Sequence, residues 1–332
     1  MLTLSGLHLL LGYQCTLECD HCFVWGSPWQ RGVMTLETIQ LILDQAAELE
    51  SVTSIAFEGG EPFLYYATLR KGVEEAVHRG YAASIVTNAF WATSEADALE
   101  ALQPFARLLK SLTVSSDLYH WSQPLSQQAQ NAASAAAKLG IPSGLISIAR
   151  PEREAASAVG QLPYGEGKVM YRGRAALKLV EHAPRQPWTT FDACPHENLR
   201  QPGRVHLDAL GNVHICQGII LGNFLQQTLK EICTGCDPDA HPIVGPILRG
   251  GPAELAREYG GAPDSNKAEV AATIAKSRHG MPTFADSSKS SLFASGEFAD
   301  ACHLCYETRV LLRERFPAEL GPGQMYGELN GG

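Results

Sequence analysis

Three cysteines fall within eight residues in Cys15-Thr16-Leu17-Glu18-Cys19-Asp20-His21-Cys22. Thiolate is the preferred protein ligand of iron–sulfur clusters, and a four-iron cluster held by only three protein thiolates keeps one iron free for another ligand. An iron of that kind binds a substrate or cosubstrate directly. Positions 15, 19 and 22 are also i, i+4 and i+7, one stripe of a helix in which cysteines would serve as small core hydrophobes. Gly12-Tyr13 and the Gly26-Ser27-Pro28 turn bracket the segment and leave little room for such a helix. Zinc held by three thiolates and an imidazole is the other ordinary use of these residue types. His21, however, adjoins Cys22 and converges poorly on the same ion.

Other reactive or binding side chains follow apolar runs. Gly59-Gly60-Glu61-Pro62 can bring backbone close to a ligand with positive φ values, or is simply a turn. Thr87-Asn88 reads as a polar strand end or a capping turn. Ser115-Ser116-Asp117, with His120, offers a general base if either Asp117 or His120 comes within hydrogen-bond reach of a substrate; a lone histidine is more often structural. In Tyr171-Arg172-Gly173-Arg174-Ala175, either arginine could bind a carboxylate, against the ordinary alternative of a solvated surface arginine.

All six remaining cysteines lie beyond residue 184. Arg204–Asp208 and Gly211–Cys216 read as a β-hairpin with its turn at Leu210–Asn212, which returns Cys216 toward Cys194. With the tight pair Cys302 and Cys305, these thiols can close a four-thiolate cluster, which passes electrons and has no open iron. Cys233 and Cys236 are alternative ligands in place of Cys302 and Cys305, or part of a second, partial site. Paired thiolates are equally a structural zinc pattern.

These residues need a scaffold that collects strand ends. Through the first 180 residues, apolar β-branched runs alternate with amphipathic stretches, the pattern of repeated βα units around a parallel sheet. Strands are expected at Leu7–Leu11, Ser54–Phe57, Ser84–Thr87, Leu112–Ser115, Gly144–Ile148 and, sixth, near Lys168–Tyr171. A helix over Thr35–Leu49 places Leu36, Ile39, Leu43, Ala46 and Leu49 on one face. Further helices run to Arg79 before Gly80, through the Ala-rich 129–139 before Gly140, and over Glu152–Val159. Right-handed crossovers would wind the units into an α/β fold, a partial (β/α)6 TIM-like barrel, whose chemistry gathers at the carboxyl ends of the strands. A link at Pro184–Pro187 divides this unit, 1–184, from a smaller cysteine-rich unit, 185–332, within which 260–264 and 286–295 read as polar loops.

The chain of 332 residues is 45% hydrophobic and 18% charged, as expected for a globular protein, with a net charge of −9 and no basic block. Nucleic acid is therefore not an expected partner. No apolar run is long enough to cross a membrane, and the amino terminus lacks a charged leader, so the expectation is a cytoplasmic protein with reduced thiols.

The Cys-x3-Cys-x2-Cys run followed by the aromatic Phe23 resembles the cluster loop of the radical S-adenosylmethionine (SAM) superfamily. The resemblance implies a [4Fe-4S] cluster on Cys15, Cys19 and Cys22 whose open iron takes SAM through its methionyl amino and carboxylate groups, with one electron from the cluster cleaving SAM to a 5′-deoxyadenosyl radical. It places His21 beside the adenine, chiefly through its backbone, and counts Phe23 among the cofactor-binding residues. It assigns Gly59, Gly60, Glu61 and Pro62 to the methionyl amino group, with Asn88, Ser115 and Arg174 also near the cofactor and Asp117 or His120 as acid or base. The later Gly-x4-Cys hairpin, the Leu221-Gly222-Asn223 turn, the helix start at Leu229–Ile232 and Cys302-x2-Cys305 resemble the SPASM/twitch extension. That implies an auxiliary [4Fe-4S] cluster on Cys194, Cys216, Cys302 and Cys305. The additional Cys233-x2-Cys236 pair and the lack of the full SPASM cysteine series depart from that pattern, so a one-cluster, twitch-like tail covering the barrel mouth is expected. Together the two resemblances cover nearly the whole chain. They imply hydrogen abstraction from an unidentified peptide, protein or small molecule and a reductant such as flavodoxin or ferredoxin. With the first strand at the start of the chain, peptide binding would need a separate partner or the tail itself. The alternatives are a non-catalytic iron–sulfur electron carrier and a zinc-stabilised binding protein, neither of which accounts for Gly59–Pro62.

Overall fold

A computed structural model describes residues 2–152, 165–259 and 296–329. Nine strands form one sheet in the order β10-β9-β8-β1-β2-β3-β4-β5-β6. Its first five strands are β1 (Gly6–Leu10), β2 (Ser54–Glu58), β3 (Ala82–Thr87), β4 (Leu109–Ser115) and β5 (Ser143–Ile148), all parallel, with the short β6 (Glu166–Gly167) parallel to β5. Alternation decides which side of each strand is core. Leu7, Leu9, Ile55, Phe57, Ile85, Leu112 and Val114 join one cluster with the apolar faces of the crossover helices α1 (Leu36–Ala47), α2 (Tyr66–His78), α3 (Glu95–Leu102) and α4 (Gln127–Lys138). Residues one step out of register, such as His8 and Glu58, therefore face away from those helices.

Caps fix where these helices begin. Thr35, Ser94 and Ser126 accept hydrogen bonds from the backbone N–H of Thr38, Asp97 and Ala129, three residues on in each case. α3 is an element the sequence reading did not expect. The sixth strand also differs: β6 lies before residue 168, and 168–171 form no strand. Tyr171 N instead donates to Asp300 Oδ2 at 3.2 Å, so this backbone is turned toward the distant tail. The expected helix at Glu152–Val159 falls outside the described residues from 153 onward, as do the expected loops at 260–264 and 286–295.

After the short helix α5 (Ala175–Lys178) and strand β7 (Gln186–Pro187), the chain returns to the main sheet. β8 (Arg204–Leu207) pairs parallel with β1, and β9 (Asn212–Cys216) and β10 (Ile219–Asn223) continue antiparallel, so the tail hairpin closes the otherwise open β1 edge. α6 (Leu229–Gly235) starts with a reciprocal Thr228–Glu231 capping box. α7 (Val244–Tyr259) is broken at Gly250–Gly251, and α8 (Ala301–Leu312), capped by Asp300, packs against it; a two-residue strand β11 (Glu297–Phe298) precedes α8 and pairs with β7. Among the described residues no helix is long and apolar enough to cross a membrane.

Candidate cluster and cofactor site

β1 runs straight into the cysteine loop, and the turn after β2 lies on it. Gly60 N donates to Gly12 O at 2.8 Å and Glu61 N to Gln14 O at 2.9 Å. Gly59 has φ +135°, and an ideal Cβ on Gly60 would sit 2.7 Å from Tyr13 O and closer still to Gln14 O. The diglycine is thus required by the approach of one backbone to another. Gly26 stands between the two: an ideal Cβ there would meet Cys15 Cβ and Gly60 Cα at 3.4 Å and Cys22 Sγ at 3.5 Å. The cysteine loop and the diglycine turn therefore share one locus, as the sequence reading required.

The donor set fits an iron–sulfur cluster. Burial pushes the Cys15 thiol up to about 12 and raises Cys19 strongly, the neighbouring thiols adding to both. Buried thiols crowded in this way ionise together only when a metal centre supplies positive charge. N–H donors already point at sulfur: Leu17 N at 3.5 Å and Asn88 Nδ2 at 3.5 Å from Cys15 Sγ, and Gly26 N at 3.2 Å from Cys22 Sγ. Such contacts stabilise cluster thiolates and tune their potential.

Glu61 is buried and already well supplied with donors. Its Oε1 accepts from Phe63 N (3.0 Å) and Thr87 Oγ1 (2.8 Å), and Oε2 from Asn88 N (2.7 Å). Three of its roughly four acceptor sites are taken by protein, and burial still pushes its carboxyl up to about 7. It ties the end of β3 to the diglycine turn, whose Pro62 is buried at the start of a 3-10 turn. Asn88 accepts from Phe90 N at 3.0 Å and donates to Thr16 Oγ1 at 3.0 Å, reaching over the cysteine loop.

At the end of β4, Ser115 is half-buried, and just beyond it Asp117 is 1% exposed. Asp117 Oδ1 accepts from Tyr119 N (3.0 Å), His120 N (3.1 Å) and His120 Nδ1 (2.8 Å), and Oδ2 from Ile148 N (3.2 Å). Burial opposes its charge, but His120 and these donors hold its carboxyl below the usual range. The His21 ring stacks on Tyr119 with centroids 4.5 Å apart and comes within 3.7 Å of Asp117 Oδ2. Burial lowers His21 to about 4, so its imidazole is neutral. The structure therefore brings His21, Asp117 and His120 together, with Asp117 as an anchor whose lone pairs are committed.

The arginines that sequence reading grouped together point in different directions. Arg174, 3% exposed, donates from Nη1 to Cys19 O (2.7 Å) and from Nη2 to Gly26 O (2.9 Å), and its guanidinium lies 5.3 Å from the Trp25 ring centre. Its backbone N donates to Cys22 O, and an ideal Cβ on Gly173 would overlap Phe23 Cα and Cys22 O. The Arg174 guanidinium thus ties two carbonyls of the cysteine loop together. Arg172 instead covers the half-buried Phe23 ring at 5.0 Å and donates to Cys216 Sγ at 3.4 Å. The Arg174 contacts are invisible in sequence, because both acceptors are main-chain carbonyls about 150 residues upstream.

Cys194, Cys216, Cys302 and Cys305 line one cavity together with Arg172 and Arg309. Cys216 ends β9, and Cys302 and Cys305 lie at i and i+3 on α8, one helix face. Cys233 and Cys236 lie elsewhere: Cys233 is in the sheet core, and Cys236 packs against it. Burial raises the Cys302 and Cys305 thiols, Cys305 to about 11, while the arginine nearest each opposes the rise.

The chain is 31% identical over 111 residues to the putative peptide biosynthesis protein YydG of Bacillus subtilis (strain 168), a match spanning 33% of this chain and 35% of that protein. Among solved structures it is similar to Streptococcus suis SuiB bound to S-adenosylmethionine, with 12% identity, 80% of this chain and 70% of that chain covered, and a TM-score of 0.49. SuiB bound to its precursor peptide SuiA matches with 12% identity, coverage of 69% and 64%, and a TM-score of 0.40. Residues 9–152, the stretch that carries Cys15, Cys19 and Cys22, the diglycine turn and Asp117, match the family described as the Radical SAM superfamily.

Proposed function

We propose that the protein is a radical SAM enzyme that modifies a peptide, with Cys15, Cys19 and Cys22 holding the catalytic [4Fe-4S] cluster. The observation that carries this reading is the meeting of the cysteine loop with the Gly59–Gly60 turn at Gly26. When bound, the cluster and SAM supply a 5′-deoxyadenosyl radical able to abstract hydrogen from carbon. The chain's own residues set the conditions for that chemistry. Arg174 fixes the loop carbonyls, Leu17 N, Gly26 N and Asn88 Nδ2 donate toward the sulfurs, and Glu61 locks the β2 and β3 ends together. The neutral His21 ring, stacked on Tyr119, walls the loop on the β4 side. Gly59, Gly60, Pro62, Phe23 and Ser115 remain the candidates to line the cofactor, and His120, held by Asp117, is the candidate acid or base. The partial (β/α)6 barrel, the division at 184 and the reductant, flavodoxin or ferredoxin, belong to the same proposal.

The tail site suits an auxiliary [4Fe-4S] cluster. Four thiolates around such a cluster leave net negative charge, and the two guanidiniums lining the cavity, Arg172 and Arg309, are 6% and 2% exposed. Buried cations favour an anionic occupant. Such a cluster would accept or relay an electron during substrate oxidation. A peptide substrate is supported by YydG, named as a putative peptide biosynthesis protein. Anaerobic reconstitution tests the whole reading: about eight irons per chain are expected for two four-iron clusters, with 5′-deoxyadenosine released on adding SAM and reductant. Cys19→Ala is expected to abolish release, and Cys216→Ala to permit it while stopping peptide modification. Zinc in a colourless protein, or equal loss of both steps in both variants, would refute it.

A further inference from the structure

The face of the sheet turned away from the crossover helices carries a second donor group, distinct from both cysteine sites. His8 on β1 is the register partner of His206 on β8, and Glu58 on β2 is opposite Leu10, two residues along β1 from His8. Side chains two apart on a strand share a face, so three strands project two imidazoles and one carboxylate to the same side. His8 Nδ1 lies 3.3 Å from Glu58 Oε2, and His206 Nε2 lies 3.2 Å from Glu58 Oε1. One donor atom from each residue falls within 4.8 Å of the others.

We propose that His8, Glu58 and His206 form a binding site for one divalent metal ion of the zinc class. Two imidazoles and a carboxylate are a recurrent ligand set for such ions. With metal–ligand bonds of about 2.0–2.1 Å, neighbouring ligand atoms in a tetrahedral site are about 3.3 Å apart. Both imidazole–carboxylate separations are near that spacing, each to its own oxygen, as for a carboxylate that reaches one ion through both oxygens. They are long for charge-assisted hydrogen bonds, which run about 2.7–2.9 Å. The bonding is also incomplete: His8 Nδ1 and Glu58 Oε1 are buried atoms without an aligned hydrogen-bond partner. An ion between them would satisfy both.

The neighbouring His214 also has a buried Nδ1 without a hydrogen-bond partner, and differs in the carboxylate it meets. Its Nε2 is 3.0 Å from Asp208 Oδ2, which also accepts from Tyr13 Oη at 2.8 Å and Asn212 Nδ2 at 3.0 Å. Glu58 instead meets the two imidazoles of His8 and His206. Gln217 supplies a candidate fourth ligand, its amide nitrogen 3.3 Å from His206 Nε2; rotation of the amide presents the oxygen instead. Ion entry is feasible, because the side chains of His8 and Glu58 are 27% and 16% exposed. A bound ion would join β1, β2 and the tail strand β8. The proposal stands whether or not the cysteine sites carry clusters.

The test uses the anaerobically reconstituted full-length protein, exposed to zinc chloride and then desalted, with zinc and iron counted per chain. Wild type is expected to keep about one zinc, with nitrogen and oxygen scatterers only, at about 2.0–2.1 Å in zinc-edge X-ray absorption. His8→Ala/His206→Ala is expected to lose that zinc with its iron unchanged. Glu58→Gln, which preserves side-chain shape, is expected to weaken zinc binding at least tenfold and decides the matter if the double variant does not fold. A zinc-free wild type, a sulfur shell around the zinc, or undiminished zinc in the folded variants would overturn the assignment.

Discussion

Replacing Arg174 by Met separates a loop clamp from a cofactor ligand. Methionine keeps an unbranched stem of similar reach against Trp25 but cannot donate to Cys19 O or Gly26 O. Hydrogen bonds from charged groups contribute about 1.5–3 kcal/mol each, and both carbonyls would lose their donors in a site where Arg174 itself is 3% exposed. The cost is at least about 3 kcal/mol, the lower end for two such bonds, which is more than a hundredfold in the equilibrium for opening the cysteine loop. The half-exposed ion pair to Glu18 adds little. Lys in the same place keeps the charge and reaches one carbonyl, so its effect should be intermediate. The assay follows iron release to a ferrous chelator from the reconstituted protein, with SAM affinity measured in parallel by equilibrium dialysis. Arg174→Met should release iron at least about a hundredfold faster, because release proceeds through the opened loop. Wild-type iron retention with weakened SAM binding would refute the clamp and return Arg174 to the cofactor.

Two further substitutions probe the scaffold. Gly60→Ala forces a Cβ onto the backbone carbonyls of Tyr13 and Gln14 and should prevent cluster retention; Gly32→Ala, with φ +87° but open space around it, should cost only about 1 kcal/mol and keep the iron. Equal iron content in both would refute the close-approach argument. His241 accepts from Ile243 N and Val244 N through Nδ1 while Nε2 lies 3.1 Å from Ile220 O, so it is held as a neutral ring, and burial lowers its pKa. A histidine with a depressed folded pKa contributes stability that is present in full above about pH 6.5 and lost as pH falls toward the folded value. His241→Asn should therefore show a smaller drop in melting temperature between pH 7.5 and pH 5 than wild type, and parallel profiles would refute the assignment.

What sequence conveys about this molecule follows from the range of the forces involved. β1 to β5 and α1, α2 and α4 were legible because burial on one face imposes a period of two or 3.6 on consecutive residues, whatever lies across the core. α3 escaped because it is short, although Ser94 with Asp97 three residues later is the cap signature that could have found it. The sixth strand was misplaced because its backbone answers to Asp300, a partner 129 residues away. The proximity of the three amino-terminal cysteines was legible because they fall within eight residues, and that of Cys302 and Cys305 because one helix face unites them. The direction of Arg172 and Arg174 was not, since one answers to Cys216 and the other to main-chain carbonyls that have no residue type to read.

The His8–Glu58–His206 group is the limiting case. No two of its members are closer than fifty residues in sequence, and none belongs to a motif, so composition and spacing are silent about it. Its geometry is nevertheless dictated by register. Once β8 pairs with β1 at His8 and β2 pairs with β1 at Leu10, alternation leaves the three side chains no choice but a common face. A one-residue slip of β8 would turn His206 into the helix-packed core and bring Val205 or Leu207 to face the carboxylate. The same pairing that buries Val205 and Leu207 thus fixes the donor group, and the apolar pattern of β8 specifies the polar constellation on its other side.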